Sequence, residues 1–373
     1  MSEIIFSASM IVRNEEQFLE GCLESIKDVV DEIVIVDTGS TDRSREIAAR
    51  YGARVFDFPW RDDFAAARNE SLEKCRGEWI LYIDADERLR PASREEVRRI
   101  LSDRRNAAYT VRFHPIGGYT AYREYRIFMN DPRIRFESAI HETMFDSLLA
   151  AAEEDGLGIG DCPLAIDHTG YDGDLIHKHR RNLPLLVKQI ERNPSRMYLR
   201  WQLGVAQKGL GDVAGAEKTW IEAIEITRRK KEVKHDDSHA YYEMICLEND
   251  RGGDPSALLD EALSLFPDNY LLIWTRALML TRSRRFEEAA VLLKGLVSVD
   301  PETLVDGPLS YNSKIFGELS YAPLADCLFQ LGDLRESERY YSLASGCDPG
   351  NAEYMTKLKF VMALLNKSRT GNE

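Results

Sequence analysis

Hydrophobic and polar positions change rhythm three times along this chain. Up to about residue 90, short apolar runs alternate with helical stretches. Residues 4–12 (Ile-Ile-Phe-Ser-Ala-Ser-Met-Ile-Val) read as a buried strand. Phe18, Leu19, Cys22, Leu23 and Ile26 then recur at helical spacing, with Asn14 as the expected cap. Residues 33–36 form a second strand, Asp37-Thr-Gly-Ser-Thr-Asp42 a turn, and 42–51 a helix capped by Ser40 or Thr41. A strand over 53–58, a helix over 63–75 and a strand over 79–83 complete the series. Such alternation predicts a mostly parallel, doubly wound sheet, in which ligands bind beyond the carboxyl ends of the strands.

From about residue 107 the runs become shorter and β-like: Tyr109–Phe113, Tyr122–Met129 and Arg133–Phe136, with Gly117-Gly118 and Asp131-Pro132 as turns. After His168-Thr-Gly-Tyr171 the pattern is helical to the end. Pro267 and Pro301 stand 34 residues apart, the period of tetratricopeptide repeats. In that register Leu203-Gly204, Ala216, Trp220 and Ala223 fill one repeat. Ala277, Ala289 and Pro301 fill a third, and Leu324, Ala325, Gly332, Tyr341, Ala344 and Pro349 a last. The second, about 236–267, fits at Ala262 and Pro267 but carries Pro255 at a helix position, and 302–317 reads as an insertion. The expected organisation is an α/β domain over 1–175, a linker helix over 176–195 and an all-α solenoid over 196–365.

With 373 residues, two domains are the prior. No run of 18 apolar residues argues for a transmembrane segment, and Met-Ser-Glu-Ile-Ile-Phe lacks a secretory pattern. Six cysteines lie far apart with no Cys-x-x-Cys, which fits reduced thiols and a cytoplasmic location. Residues 1–185 carry 35 carboxylates against 25 Lys and Arg, and the remainder 28 against 24. Both parts are acidic, which argues against nucleic-acid binding. Arg228-Arg-Lys-Lys-Glu-Val-Lys234 therefore reads as a solvated loop.

The candidate chemistry sits at the strand ends. Trp79-Ile-Leu-Tyr-Ile-Asp-Ala-Asp-Glu87 is an apolar strand that stops at Asp84 and Asp86. Carboxylates there need water, hydrogen bonds or a cation, and a divalent ion holding phosphates suits them. Asp37 can accept from a base or a ribose hydroxyl, or merely form its turn. Arg68 can grip a diphosphate with paired hydrogen bonds, or pair with Asp62 or Asp63.

Met10-Ile-Val-Arg-Asn-Glu-Glu, Val36-Asp-Thr-Gly-Ser-Thr-Asp, Ala67-Arg-Asn and Gly77-Glu-Trp-Ile-Leu-Tyr-Ile-Asp-Ala-Asp-Glu together resemble glycosyltransferase family 2, of GT-A fold. The likeness is dense over 4–90 and looser over 107–170. With the repeats, it resembles a branch of glycosyltransferases fused to tetratricopeptide repeats that includes enzymes acting on peptides. The resemblance implies a nucleotide-sugar site made of Val12, Arg13, Asn14, Glu15, Asp37, Arg68, Asp84 and Arg126. It implies Mn²⁺ or Mg²⁺ at Asp86 and Asp84, with His168 as a late histidine reaching the metal or diphosphate. Ile11-Val-Arg-Asn14 departs from the family's Pro-x-Tyr-Asn, so UDP- and GDP-sugars both stay open.

A direct displacement inverts the anomeric centre and needs a base near the acceptor. In Phe136-Glu-Ser-Ala-Ile-His-Glu142 the expected base is Glu142, with Glu137 as its rival; Arg123 and Arg126 are candidates to steady phosphate. The expected function is metal-dependent, inverting glycosyl transfer to a peptide, protein or glycan acceptor held partly by the repeats, with homodimerisation left open. A nucleotidyltransferase would want a Gly-rich, basic phosphate loop after the first strand, which Arg13-Asn-Glu-Glu16 is not. A non-catalytic repeat scaffold is the other alternative.

Overall fold

The computed structural model describes residues 6–170, 175–306 and 309–370. Residues 4 and 5 of the expected first strand, and Tyr171, lie outside the described residues. The chain divides into two compact units, one of residues 1–116 with 121–219, the other of 117–120 with 220–373.

The first unit is built on one eight-stranded sheet, in the order β3-β2-β1-β4-β7-β6-β8-β5. Its strands are β1 (Phe6–Val12), β2 (Glu32–Asp37), β3 (Arg54–Asp57), β4 (Trp79–Tyr82), β5 (Glu87–Leu89), β6 (Asn106–His114), β7 (Tyr122–Met129) and β8 (Gly158–His168). β1 pairs in parallel with β2 and β4, as does β2 with β3 and β6 with β8; the other pairs are antiparallel. Helices α1 (Leu19–Ile26), α2 (Ser44–Arg50), α3 (Phe64–Lys74), α4 (Arg94–Leu101) and α5 (Phe145–Glu154) interleave with the strands.

β1, β2 and β4 are buried almost throughout because both faces of the sheet are covered, and the two serines inside β1, Ser7 and Ser9, are paired with Glu32 and Ser71. Ala8, Met10, Ile35, Trp79 and Leu81 point to one face and pack with Leu19, Cys22, Leu23 and Ile26 of α1. Val34, Ile80 and Phe128 point to the other, against Ala65 and Leu72 of α3 and Leu148 of α5. The sheet grows outward in both directions from β1 and β4, so the strand order reverses between them. That is where open sheets of this kind leave a crevice.

Several local expectations are corrected. Asn14 does not cap α1; it takes a left-handed φ of 57° and its side chain accepts from the Thr41 N–H. Asp42, not Ser40 or Thr41, accepts from the Ser44 N–H that opens α2. Residues 133–136 form no strand, because the chain turns at Asp131-Pro132 and side chains take its backbone groups, Ser147 those of Arg135 and Asn69 those of Phe136. The segment expected as a linker is α6 (Leu175–Arg192), which with α7 (Met197–Gly209) belongs to the first unit. Leu185, Leu186 and Ile190 of α6 pack with Leu199, Leu203 and Ala206 of α7 and with Ile140.

Helix α8 (Val213–Thr227) begins in the first unit. The second unit continues with α9 (Ser238–Asp250), α10 (Ser256–Leu265), α11 (Tyr270–Arg282), α12 (Phe286–Val297), α13 (Glu318–Gln330), α14 (Leu334–Cys347) and α15 (Ala352–Thr370). The repeat register fits these helices. Ala216, Trp220, Ala223, Ala262, Ala277, Ala289 and Ala325 have no exposed surface, as close helix packing requires. Pro255 stands at the start of α10, not inside it, so it breaks nothing. The expected insertion pairs with residues 117–120: the Thr120 N–H donates to the Tyr311 carbonyl (2.7 Å) and the Ser313 N–H to that of Gly118 (2.9 Å). Arg228 is held by Glu225 and Glu261, and Lys230 by Asp237, in keeping with a charged surface loop. Among the described residues no helix is long and apolar enough to cross a membrane.

Ala289→Leu should overfill its helix contact and destabilise the second unit by about 1–3 kcal/mol. Urea unfolding of the full chain checks this, and an unchanged midpoint would mean that the alanine positions are not tightly packed.

Candidate active site

A cavity of about 410 Å³ opens at the carboxyl ends of β1 and β4. Its wall gathers Val12, Arg13 and Glu15 from the turn after β1, Thr38 from that after β2, Trp60 and Phe64 before and in α3, Arg68, the Asp84-Ala85-Asp86 turn, Ile140–Glu142, and Lys178, Arg181 and Asn182 of α6.

Arg68 is its structural centre. Its terminal nitrogens donate to both oxygens of Asp84 (2.8 and 3.0 Å), and its Nε donates to Oε1 of Glu142 (2.7 Å). It reaches them because Asp63 caps α3 by accepting from the Ala66 N–H (2.9 Å), which starts the helix one turn earlier. Burial weakens the guanidinium's hold on its proton, but Asp84 and Glu142 outweigh it and its pKa lies well above the ordinary value. Burial likewise raises the Asp84 carboxyl, and Arg68 reverses this and holds it below the usual range.

Asp86 points elsewhere. β5 pairs with β8 so that Glu87 lies opposite His168, and the His168 Nε2 comes within 3.0 Å of the Asp86 carboxylate. That hydrogen bond raises the imidazole pKa. Thr169 ties the same turn through its N–H and hydroxyl to the Asp86 carbonyl. A Cβ on Gly170 would lie 2.5 Å from Asp86 Oδ2 and 2.7 Å from His168 Nε2, so the absent side chain leaves a cradle over both. One carboxylate, one imidazole and a substrate's phosphate oxygens suit Mn²⁺ or Mg²⁺. Asp86 and His168 thus fit a divalent ion, whereas both oxygens of Asp84 are taken by Arg68. Among the described residues no cluster of three or more His, Cys, Asp or Glu forms a complete protein cage.

Of the expected site residues, Val12, Arg13, Glu15, Arg68, Asp84, Asp86 and Glu142 line one cavity. Asn14, Asp37, Arg126 and His168 do not. Asp37 is buried behind Thr38, where its carboxylate accepts from the Ser40 N–H and Arg45 (2.8 Å). Arg126 is buried beneath the Asp84 turn, with its guanidinium bound to both Glu87 oxygens (3.0 and 2.8 Å) and to Glu124. It stacks at 4.2 Å on the Tyr82 ring, so it supports the turn and leaves no fork for phosphate. Arg123 lies beside Thr110 and Asp161, and Glu137 bridges Thr143 through its backbone. The residues that sequence reasoning missed are Trp60, Phe64, Lys178, Arg181 and Asn182. The basic run His177-Lys-His-Arg-Arg181 was the available signal for the last three.

Two left-handed residues, Ser138 (φ 77°) and His141 (φ 50°), fold residues 137–143 into the loop that presents Glu142. Strain of this kind clusters at functional sites. Burial pushes the Glu15 carboxyl up to about 7, helped by Asp86, Asp84 and Asp42. His141 is lowered to about 4, by burial first and then by Arg196 and Lys178, against the pull of Glu142. Its Nε2 is buried without a hydrogen-bond partner among the described residues.

A histidine depressed from 6.5 to about 4 contributes stability that is complete above pH 6.5 and lost as pH falls through that window. The stability difference between wild type and His141→Gln should therefore shift against the wild type between pH 6.5 and 4. Parallel stability curves in urea titrations over that range would contradict a buried neutral imidazole.

Residues 7–153 match the family model described as glycosyl transferase family 2. A TPR repeat-containing protein of Synechococcus elongatus is 36% identical over 261 residues, 68% of this chain and 64% of its own length. A glycosyltransferase of Rickettsia bellii is 34% identical over 112 residues, 29% of this chain and 38% of its own. The SPbeta prophage-derived glycosyltransferase SunS of Bacillus subtilis is 26% identical over 203 residues, 50% of this chain and 46% of its own. This chain thus spans less than two thirds of the length of these relatives. The solved structure of S. aureus TarS 1–349 in complex with UDP is 14% identical, covers 65% of this chain and 83% of that one, and has a TM-score of 0.40, too remote a likeness to carry an argument. With its strand-end motifs gathered on one mostly parallel sheet, and a helical region consistent with tetratricopeptide repeats following in the chain, residues 7–153 form a glycosyl transferase family 2 domain.

Proposed function

We propose that this chain is a metal-dependent, inverting glycosyltransferase that moves a sugar from a UDP- or GDP-sugar to a peptide, protein or glycan. The observation that carries this reading is the single cavity joining Arg13, Arg68, Asp84, Asp86 and Glu142 at the reversal of strand order, in a chain whose residues 7–153 match the family.

The donor lies in the 410 Å³ cavity, its ribose side near Asp84 and its diphosphate near Asp86. Asp86 and His168 would hold a divalent ion, which supplies positive charge to the leaving diphosphate. Glu142 is the base. Arg68 fixes one of its oxygens, and the other takes no hydrogen bond among the described residues. It takes the proton of the acceptor hydroxyl or thiol as that atom attacks the anomeric carbon. A second cavity of about 330 Å³ shares His141 and Glu142 and is bordered by Tyr125, Phe145, Arg196 and Tyr198. An acceptor entering there reaches Glu142, which both cavities share. The repeats, a stack of helix pairs without catalytic residues of their own, hold a macromolecular acceptor.

Hydrolysis of UDP- and GDP-sugars by the purified chain, with and without Mn²⁺, tests the activity. Turnover with neither donor removes the proposal. Asp86→Asn should abolish most turnover and its response to Mn²⁺. Glu142→Gln keeps an oxygen for Arg68 while losing the base. It should lower kcat by about 10²–10⁴-fold and leave donor KM unchanged. Wild-type kcat with a saturating hydroxyl acceptor would transfer the role to another carboxylate.

A further inference from the structure

Four cations line the cavity: Arg13, Arg68, Lys178 and Arg181. Arg68 is committed to Asp84 and Glu142. The other three enter no ion pair among the described residues, although Glu15, Asp84, Asp86 and Glu142 line the same cavity. Lys178 and Arg181 stand three residues apart on α6, and so share one helix face. α6 lies beyond the residues that the family model matches.

Arg181 is held ready for a ligand. Its Nε donates to the Asn182 side-chain oxygen at 3.0 Å, and its guanidinium lies 5.3 Å from the centre of the Phe64 ring. Asn182 is buried, and Phe64 is anchored against the Ile140, Leu185 and Leu199 cluster. Brace and platform fix the plane of the guanidinium while its two terminal nitrogens make no hydrogen bond among the described residues. Arg181 is exposed to solvent, yet partial desolvation at the cavity, and then the positive charge of Arg13, lower its pKa. Like charges converging on one cavity are unfavourable until an anion separates them. A planar fork beside a lysine point charge matches phosphate oxygens.

We infer that Arg181, with Lys178 and Arg13, clamps the diphosphate of the sugar donor. The inference rests on the glycosyltransferase reading above. In the transfer, the acceptor oxygen forms its bond to the anomeric carbon as the bond from that carbon to the phosphate oxygen breaks. The electron pair leaves on the diphosphate, the acceptor proton passes to Glu142, and Arg181 faces the oxygens on which charge grows. Arg181 is therefore a catalytic residue as well as a binding one.

Calorimetric titration of the full chain with UDP, GDP and inorganic pyrophosphate in Mg²⁺, and with uridine and guanosine, tests the clamp. The wild type should bind pyrophosphate and one nucleoside diphosphate. Arg181→Ala should weaken both about 10- to 100-fold, as for loss of a charge-assisted hydrogen bond. Arg181→Lys should recover only part, and nucleoside affinity should not change. Equal diphosphate affinity in wild type and a folded Arg181→Ala overturns the clamp and leaves the glycosyltransferase reading intact. A wild type that binds no diphosphate overturns both. If Arg181→Ala fails to fold, Lys178→Ala and Arg181→Lys provide the same comparison, and wild-type affinity in both overturns the clamp.

Discussion

The site depends on one cation taken out of water between two carboxylates. Removing a guanidinium from solvent costs several kcal/mol, and good geometry on every donor is needed to offset it. Arg68 has that geometry: a bidentate pair on Asp84, a third bond to Glu142, and the Tyr82 and Phe136 rings 5.2 and 5.5 Å from its guanidinium carbon. The three charged residues come from the end of β4, from α3 and from the loop at 137–143. Their relative placement is thus set by one side chain. It also sets a constraint, since Asp84 cannot turn toward a metal without leaving Arg68 short of a partner. On the proposed reading, the different tasks given to Asp84 and Asp86 follow from that competition.

A second buried pair lies beneath the first. Glu87 accepts two bonds from Arg126 and also accepts from the Asp84 N–H (2.9 Å), while the Glu87 N–H donates to the Asp84 carbonyl (3.0 Å). The Asp84–Glu87 turn is thereby closed on itself and bolted to β7. The β5–β8 register then brings His168 to Asp86 from a strand some eighty residues away. Each carboxylate of the turn has its own support, so the turn can keep two negative charges close together in the cavity wall.

The first ninety residues were legible because their physics is local. Apolar runs that end in carboxylates, separated by helical spacing, place Arg13, Arg68, Asp84 and Asp86 on one sheet rim without knowledge of any long-range contact. Ala262, Ala289 and Trp220 were legible for a related reason: a repeat restates its packing every turn of the solenoid. What failed depended on partners distant in sequence. Arg126 reads like a phosphate ligand until Glu87 and Glu124 are seen to occupy it. Asn14 reads like a cap until Thr41 is seen to take its side chain. The helix 175–192 reads like a connector because its apolar stripe is plain, and that stripe says nothing about where the opposite, basic face is directed.

That basic face completes the electrostatics of the cavity. The strand ends contribute mostly negative charge, and Arg68 is neutralised by the pair it holds, so the sheet alone would repel a nucleoside diphosphate. Cations at Arg13, Lys178 and Arg181 supply the opposite sign at the same cavity. A diphosphate placed between them would relieve the repulsion between Arg13 and Arg181. The cavity therefore draws on more than the run of residues that carries the family motifs. Its lining reaches α6, and Phe64 joins the two sides, since it begins α3 on the sheet side and carries the Arg181 guanidinium on its ring.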